Sequence, residues 1–191
     1  MPCRNISGDV DAGCADLTGT SLGDEFVTGL AAAPFDCADL TLSNNQLSDA
    51  AVSTLCTAIQ RSNSNQPLNS LALAYNCITS AGARALAALL NSGAALEALN
   101  LEGNHIDPPG AKALAAAVGR SQLRSVNVAF NSSEAGHLSS WLVALSCCNL
   151  VHLSLAQVTS RAAAVRSQSL TAWCRMPERC CNRHRTGQPP H

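Results

Sequence analysis

The sequence predicts an α/β solenoid, a stack of about six repeats in which each repeat contributes one short strand and one helix. Three observations carry this prediction. A leucine pattern recurs roughly every 28 residues, an asparagine follows the leucines at a fixed distance, and an alanine-rich helical segment separates one pattern from the next. Self-similarity at such a period is typical of solenoids, whose repeats bury their cores against one another.

The fullest copy of the pattern covers residues 96–118. Its leucines alternate with other residues at period two, which indicates a short strand with the leucines pointing inward. The segment that begins at Gly110 is rich in alanine and predicts a helix whose small residues pack closely on the sheet. Because each strand is followed by a helix that returns the chain, successive strands should add in parallel. The key positions of this copy are Leu96, Leu99, Leu101, Asn104 and Ile106.

Taken in chain order, the units start near residues 12, 37, 68, 96, 123 and 150. The first unit is degenerate, as terminal units of repeat proteins often are. The unit at 123 places Ser133 where an apolar residue should close the turn, and the unit at 150 has Val158 in place of the asparagine. A fifth helix is expected from about Gly136 to Ser146.

These units predict three regions: an N-terminal extension over residues 1–11, a repeat domain over 12–160, and a tail over 161–191. The tail can open with a terminal helix up to Trp173, and its polar, basic remainder is expected to be disordered. The abrupt change of character after about residue 161 suggests a truncated chain or an incorrectly placed gene end.

Each well-matched unit carries an asparagine at the point where the backbone leaves the strand. Its amide can satisfy turn groups of neighbouring units, so these residues should form a buried ladder along the stack. Asn131 also opens a glycosylation sequon, but a buried ladder residue would not be modified. The predicted ladder consists of Asn45, Asn76, Asn104 and Asn131.

The spacing L-x-x-L-x-L-x-x-N-x-I resembles a leucine-rich repeat. The long period and the Gly-Ala-x-Ala-Leu start of the helical half look like the ribonuclease-inhibitor class, which also resembles the repeats of NOD-like receptors and Ran GTPase-activating proteins. The resemblance covers roughly residues 12–158 and implies a horseshoe, a right-handed β-α solenoid with a parallel sheet on its concave face. It implies a protein-interaction module that binds a protein partner through that face.

Two alternatives follow from the same resemblance. One is a GTPase-activating regulator, although the tail is basic here and strongly acidic in Ran GTPase-activating proteins. The other is the repeat fragment of a NOD-like receptor, whose nucleotide-binding domain would lie elsewhere.

The candidate binding residues are those that the repeat pattern leaves free, two, four and six positions after each unit start. Most are small, and those with the length to contact a partner are Asp16, Asp39, Asn100, Glu102, Asn127 and His152. Tyr75 and Phe130 lie one position further on, at the rim of the sheet, where aromatic side chains anchor interfaces. The alternative interpretation is that these are solvated strand residues without an evolved partner.

The charge distribution argues against a nucleic-acid or membrane surface. Residues 1–160 carry six Lys and Arg against twelve Asp and Glu, a net charge of −6, and the remainder carries six Arg and one Glu, a net charge of +5. The tail arginines are dispersed and do not form a dense basic cluster. No stretch approaches the roughly 20 apolar residues of a membrane span. The start has no secretory signal, so a cytoplasmic location with reduced cysteines is expected.

No motif for catalysis occurs in the sequence, which lacks a hydrolase elbow, a phosphate loop and an H-E-x-x-H pair. We therefore expect no enzymatic activity, no cofactor and no small-molecule substrate. The tail holds four residues of types that bind zinc, but without the paired C-x2-C spacing of zinc sites, so no metal site is expected. These residues are Cys174, Cys180, Cys181 and His184.

Overall fold

The computed structural model of the chain describes residues 14–32, 37–62, 67–131 and 152–154. These residues form six strands and four helices, which alternate along the chain from the first strand to the fifth. In order they are β1 (Cys14–Asp16), α1 (Asp24–Ala31), β2 (Asp39–Thr41), α2 (Asp49–Arg61), β3 (Ser70–Ala72), α3 (Ser80–Asn91), β4 (Ala98–Asn100), α4 (Pro108–Val118), β5 (Ser125–Asn127) and β6 (His152–Ser154). The expected fifth helix, the N-terminal extension and the tail lie outside the described residues.

The strands form one parallel sheet in the order β1-β2-β3-β4-β5-β6. Parallel neighbours require a crossover connection, which α1 to α4 supply between the first five strands. The central residue of each strand is apolar, buried and in register with the next: Ala15, Leu40, Leu71, Leu99, Val126 and Leu153. The predicted α/β solenoid is therefore confirmed.

A continuous apolar core lies between the sheet and the helices. Strand leucines such as Leu71 and Leu99 join helix residues such as Leu86 and Leu114 in one buried cluster. Among the described helices, each packs against the next one along the chain, α1 on α2, α2 on α3 and α3 on α4. Stability therefore comes from contacts between neighbouring units, as in other solenoids.

The helices begin at equivalent places in the repeat because a capping residue precedes each of the last three. Ser48 and Thr79 accept hydrogen bonds from the backbone N–H groups of Ala50 and Ala81, and the Asp107 carboxylate accepts one from the N–H of Gly110. The sequence interpretation placed the starts of α3 and α4 at Gly82 and Gly110. It was wrong by two residues, because the caps start these helices at Ser80 and Pro108.

An aspartate at the start of α2 links its unit to the next. The Asp49 Oδ1 accepts hydrogen bonds from the N–H groups of Thr79 and Gly82, both at 2.8 Å, and its Oδ2 accepts one from the Thr79 hydroxyl at 2.6 Å. Partial burial opposes ionisation of Asp49, but these hydrogen bonds and the charge of Arg84 prevail and lower its pKa. Asp24 contacts Ser48 in the same way, through the backbone N–H and the hydroxyl.

Gly82 and Gly110 are required where one unit approaches the next. A Cβ at Gly82 would lie 2.6 Å from the Asp49 Oδ1, and a Cβ at Gly110 would lie 2.7 Å from the Cα of Ser80. The sequence interpretation assigned these glycines to packing on the sheet. Their contacts show instead that they make room for the residue that starts the preceding helix.

Replacing Gly110 with alanine should destabilise the protein by about 1–3 kcal/mol, because the new methyl group would overlap the backbone of Ser80. The sign is informative, since alanine is normally better than glycine inside a helix by about 1 kcal/mol. Urea denaturation of the full chain measures the difference. Gly29→Ala is the matched control, because a Cβ there meets nothing within 4 Å and should be neutral or stabilising. Equal stability of G110A and the unmodified chain would contradict this close approach.

Candidate functional site

The sheet presents two rows of outward residues in register. One row contains Cys14, Asp39, Ser70, Ala98, Ser125 and His152, and the other contains Asp16, Thr41, Ala72, Asn100, Asn127 and Ser154. Asn100 and Asn127 are therefore neighbours in the middle of the second row. The other three strand candidates lie towards the two ends of the sheet: Asp16 on β1, Asp39 on β2 and His152 on β6.

After each of the first five strands the backbone makes a left-handed turn at an equivalent position. Five residues have a positive φ there: Gly19 (66°), Asn44 (57°), Tyr75 (53°), Gly103 (65°) and Phe130 (55°). This conformation is uncommon for residues other than glycine. It directs the two aromatic side chains out at the same edge of the sheet, where Tyr75 is 53% exposed and Phe130 is 42% exposed.

The residues just before these two aromatics do not face solvent. The sequence interpretation placed Ala74 and Ala129 among the outward residues, but they are only 4% and 2% exposed. The strands have already ended at Ala72 and Asn127. Alternation at period two need not continue where the chain turns. At the same repeat position Thr18 is exposed and Ser43 and Glu102 are half-buried, so the prediction is wrong only for the two alanines.

Four buried asparagines hold the turns of successive units together. In Asn76, for example, Oδ1 accepts hydrogen bonds from the N–H groups of Asn45 at 3.1 Å and Leu47 at 2.9 Å, and Nδ2 donates to the carbonyl oxygen of Leu42 at 3.0 Å. Asn45, Asn104 and Asn131 make equivalent bonds to the units before them. The backbone beneath the candidate site is therefore fixed by side chains in the interior.

Three predicted site residues from three successive units are linked by hydrogen bonds to the middle one. We call Tyr75, Glu102 and Asn127 the rim cluster. The Tyr75 hydroxyl donates to the Glu102 Oε1 at 2.6 Å, and the Asn127 Nδ2 donates to the Glu102 Oε2 at 2.8 Å. Asn100 supports this arrangement, because its Oδ1 accepts a hydrogen bond from the Glu102 N–H at 3.0 Å. The carboxylate is thus held in place across β3, β4 and β5.

Gly103 lets the tyrosine ring lie against the next unit. A Cβ at this position would be 2.5 Å from the Tyr75 Cε1, so the glycine leaves the space that the ring occupies. Sequence reasoning missed this residue. The available signal was a glycine at the repeat position where the flanking units carry Tyr75 and Phe130.

The remaining acidic candidates behave differently. The Asp16 Oδ1 accepts hydrogen bonds from the hydroxyl of Thr18 at 2.6 Å and from its N–H at 3.0 Å, and these bonds lower the pKa of the Asp16 carboxyl. Asp39 is half-buried on the neighbouring strand, where it pairs with Cys14. The two aspartates place two further carboxyl groups near the β1 end of the sheet.

The pKa of Tyr75 should be higher than that of an ordinary tyrosine, because its hydroxyl is hydrogen-bonded to the Glu102 carboxylate, whose charge also opposes ionisation. Tyr75 is the single tyrosine of the sequence, so an ultraviolet titration of phenolate absorbance reports on it alone. Glu102→Gln should lower this pKa. The stability that the contact contributes should be present below the pKa of the unfolded chain and lost as the pH rises through the higher folded value. Identical titration curves for E102Q and the unmodified chain would contradict the contact.

Two of the four cysteines in the described residues are buried, and the other two, Cys14 and Cys77, are exposed. Cys37 and Cys56 are buried, and burial raises the pKa of the Cys56 thiol to about 12. Within the described ranges, no cluster of His, Cys, Asp and Glu could hold a metal ion. The four tail residues considered for zinc lie outside those ranges.

Comparison with protein-family models identifies a repeat family. A family model described as Leucine Rich repeat matches residues 64–87 and 95–115, which cover β3, most of α3, β4 and part of α4. None of the curated proteins compared matches the sequence significantly. Leucine-rich repeats are generally protein-interaction modules and are typically not enzymes. None of the helices in the described ranges is long and apolar enough to cross a membrane. The described residues therefore form a parallel β-α solenoid in which two units match the leucine-rich-repeat family model.

Proposed function

We propose that this chain binds a protein partner through the outward strand residues and the adjoining rim of its sheet. The observation that carries the proposal is the rim cluster together with two exposed aromatic residues. Tyr75 and Phe130 are the large apolar side chains that remain exposed in the described part of the chain. Aromatic residues of this kind commonly carry most of the binding free energy of an interface.

Buried and surface hydrogen bonds hold the backbone and side chains of the proposed site in one conformation, which favours tight binding. The asparagine ladder fixes the turns, and the hydrogen bonds of Glu102 fix its side chain before any partner arrives. Binding then costs less conformational entropy than it would on a mobile surface. The centre of the proposed surface consists of Tyr75, Asn100, Glu102, Asn127 and Phe130, and its flanks consist of Asp16, Asp39 and His152.

The finer parts of the proposal rest on the sequence. A cytoplasmic location, the ribonuclease-inhibitor-like class and the absence of a small-molecule substrate stay predictions. The GTPase-activating and NOD-like receptor alternatives also stay open. No contact among the described residues favours either of them over simple partner binding.

The double substitution Glu102→Gln/Asn127→Ser should weaken partner binding at least about tenfold while changing the free energy of unfolding by no more than about 0.5 kcal/mol. The physical reason is that both side chains lie on the outward face, while the leucines behind them are untouched. Partners would be captured with the immobilised full chain and identified by mass spectrometry. Their affinity for each variant would then be measured by calorimetry.

Glu25→Gln/Asn91→Ser is the matched control, because it makes the same chemical changes at exposed positions on α1 and α3. This control should bind like the unmodified chain. A partner that binds the two double variants equally well would place the binding site elsewhere on the protein.

A further inference from the structure

The outward face of the sheet is acidic. None of the outward residues of the six described strands is lysine or arginine, and Asp16 and Asp39 are among them. Glu102 adds a third carboxyl group just beyond β4. A negatively charged partner such as nucleic acid would be repelled by this face, and a positively charged segment would be attracted to it.

The Glu102 carboxylate retains part of its hydrogen-bonding capacity. Its two neighbours in the rim cluster, Tyr75 and Asn127, are neutral donors, and each engages one oxygen. In the described part of the chain no lysine or arginine forms an ion pair with it, whereas Glu97 of the same unit lies 3.6 Å from Arg124. An ionised carboxylate has about four acceptor positions, so Glu102 can accept further hydrogen bonds from a cation.

One of the two exposed aromatic rings contacts this carboxylate. Tyr75 contacts Glu102 directly, and Phe130 lies one unit further along at the equivalent turn position. Planar cations stack on aromatic faces, and arginine does so more often than lysine. A guanidinium group also carries five N–H donors in one plane, so it can stack on a ring and donate to a carboxylate at the same time.

We propose that the partner presents an arginine side chain to this rim, with its guanidinium stacked on Tyr75 and hydrogen-bonded to Glu102. This inference rests on the proposed function and specifies the chemistry of the partner. The occupant is an arginine-containing segment of a protein. Asp39 and Asp16 would provide a second acidic contact for a longer basic segment that runs along the sheet towards β1.

The test uses Tyr75 as its reporter, because it is the single tyrosine of the sequence. The full chain, labelled with ¹³C in the tyrosine ring, is titrated with an acetylated and amidated pentapeptide in which glycine alternates with arginine. Its ring signals are followed by NMR. The same peptide with citrulline in place of arginine is the neutral control, since it preserves the shape and removes the charge. A third peptide carries lysine.

We expect the arginine peptide to shift the ring signals saturably, and to bind at least about threefold more tightly than the lysine or citrulline peptide. Glu102→Gln should weaken binding of the arginine peptide by about threefold or more, and Glu25→Gln on α1 should leave it unchanged. Raising the salt concentration should also weaken binding, since both charges are exposed. Equal binding of the arginine and citrulline peptides, or of the arginine and lysine peptides, would overturn the proposal.

The two proposals can fail separately. If the Glu102→Gln/Asn127→Ser substitution leaves the affinity of the captured partner unchanged, the proposed surface itself is wrong. If that substitution lowers the affinity of the partner but the arginine peptide does not shift the Tyr75 signals, the surface binds a partner of different chemistry. In that case the inference about arginine falls while the proposed function stands.

Discussion

Replacing Leu99 with alanine is expected to lower the free energy of unfolding by about 2–5 kcal/mol. Leu99 is the central residue of β4, only 2% exposed, and lies between Leu71 and Val126 in the parallel register. Its truncation would leave a cavity in the middle of the core. The units on both sides are held in place by their own neighbours, so they can move little to fill this cavity. Urea denaturation followed by circular dichroism measures the loss.

Leu30→Ala provides the comparison for this result. Leu30 lies in α1, partly buried at the edge of the core, so its truncation removes fewer contacts and should cost less than that of Leu99. A Leu99→Ala variant as stable as the unmodified chain would refute the register of the strands, because every inward position follows from it.

Replacing Asn76 with aspartate should be at least as severe, with a loss of about 3 kcal/mol or more at neutral pH. An aspartate could still accept the hydrogen bonds from the N–H groups of Asn45 and Leu47. It could no longer donate to the carbonyl oxygens that Asn76 Nδ2 now contacts, those of Leu42, Leu73 and Ala74. A negative charge would instead face these oxygens at a site that is 4% exposed.

Asn69→Asp is the control for this substitution, since it makes the same chemical change at an exposed position of the same unit. It should alter the free energy of unfolding by no more than about 0.5 kcal/mol. Thermal or urea unfolding of both variants compares the loss of stability at the buried asparagine with that at the exposed one. Similar stabilities would show that the ladder contributes little and that packing of the leucines alone holds the units together.

The sequence by itself determined the fold and the register of its strands. Inward positions must be apolar in every unit, so the leucine spacing marks where each strand lies, and parallel addition of equivalent units then aligns Leu71, Leu99 and Val126. The sequence also identified the positions at which the repeat pattern does not restrict the residue type, among them those of Glu102 and Asn127. Both kinds of information are contained in residues close together along the chain.

Only the tertiary structure decided how those free residues meet. Tyr75 and Glu102 are 27 residues apart, and their contact depends on Gly103 leaving space for a ring from another unit. The contact of Asp49 with Gly82 has the same origin, a close approach between units. Sequence periodicity describes each unit on its own. The side chains that touch across the boundary between units are set by shape and hydrogen bonding in the assembled stack.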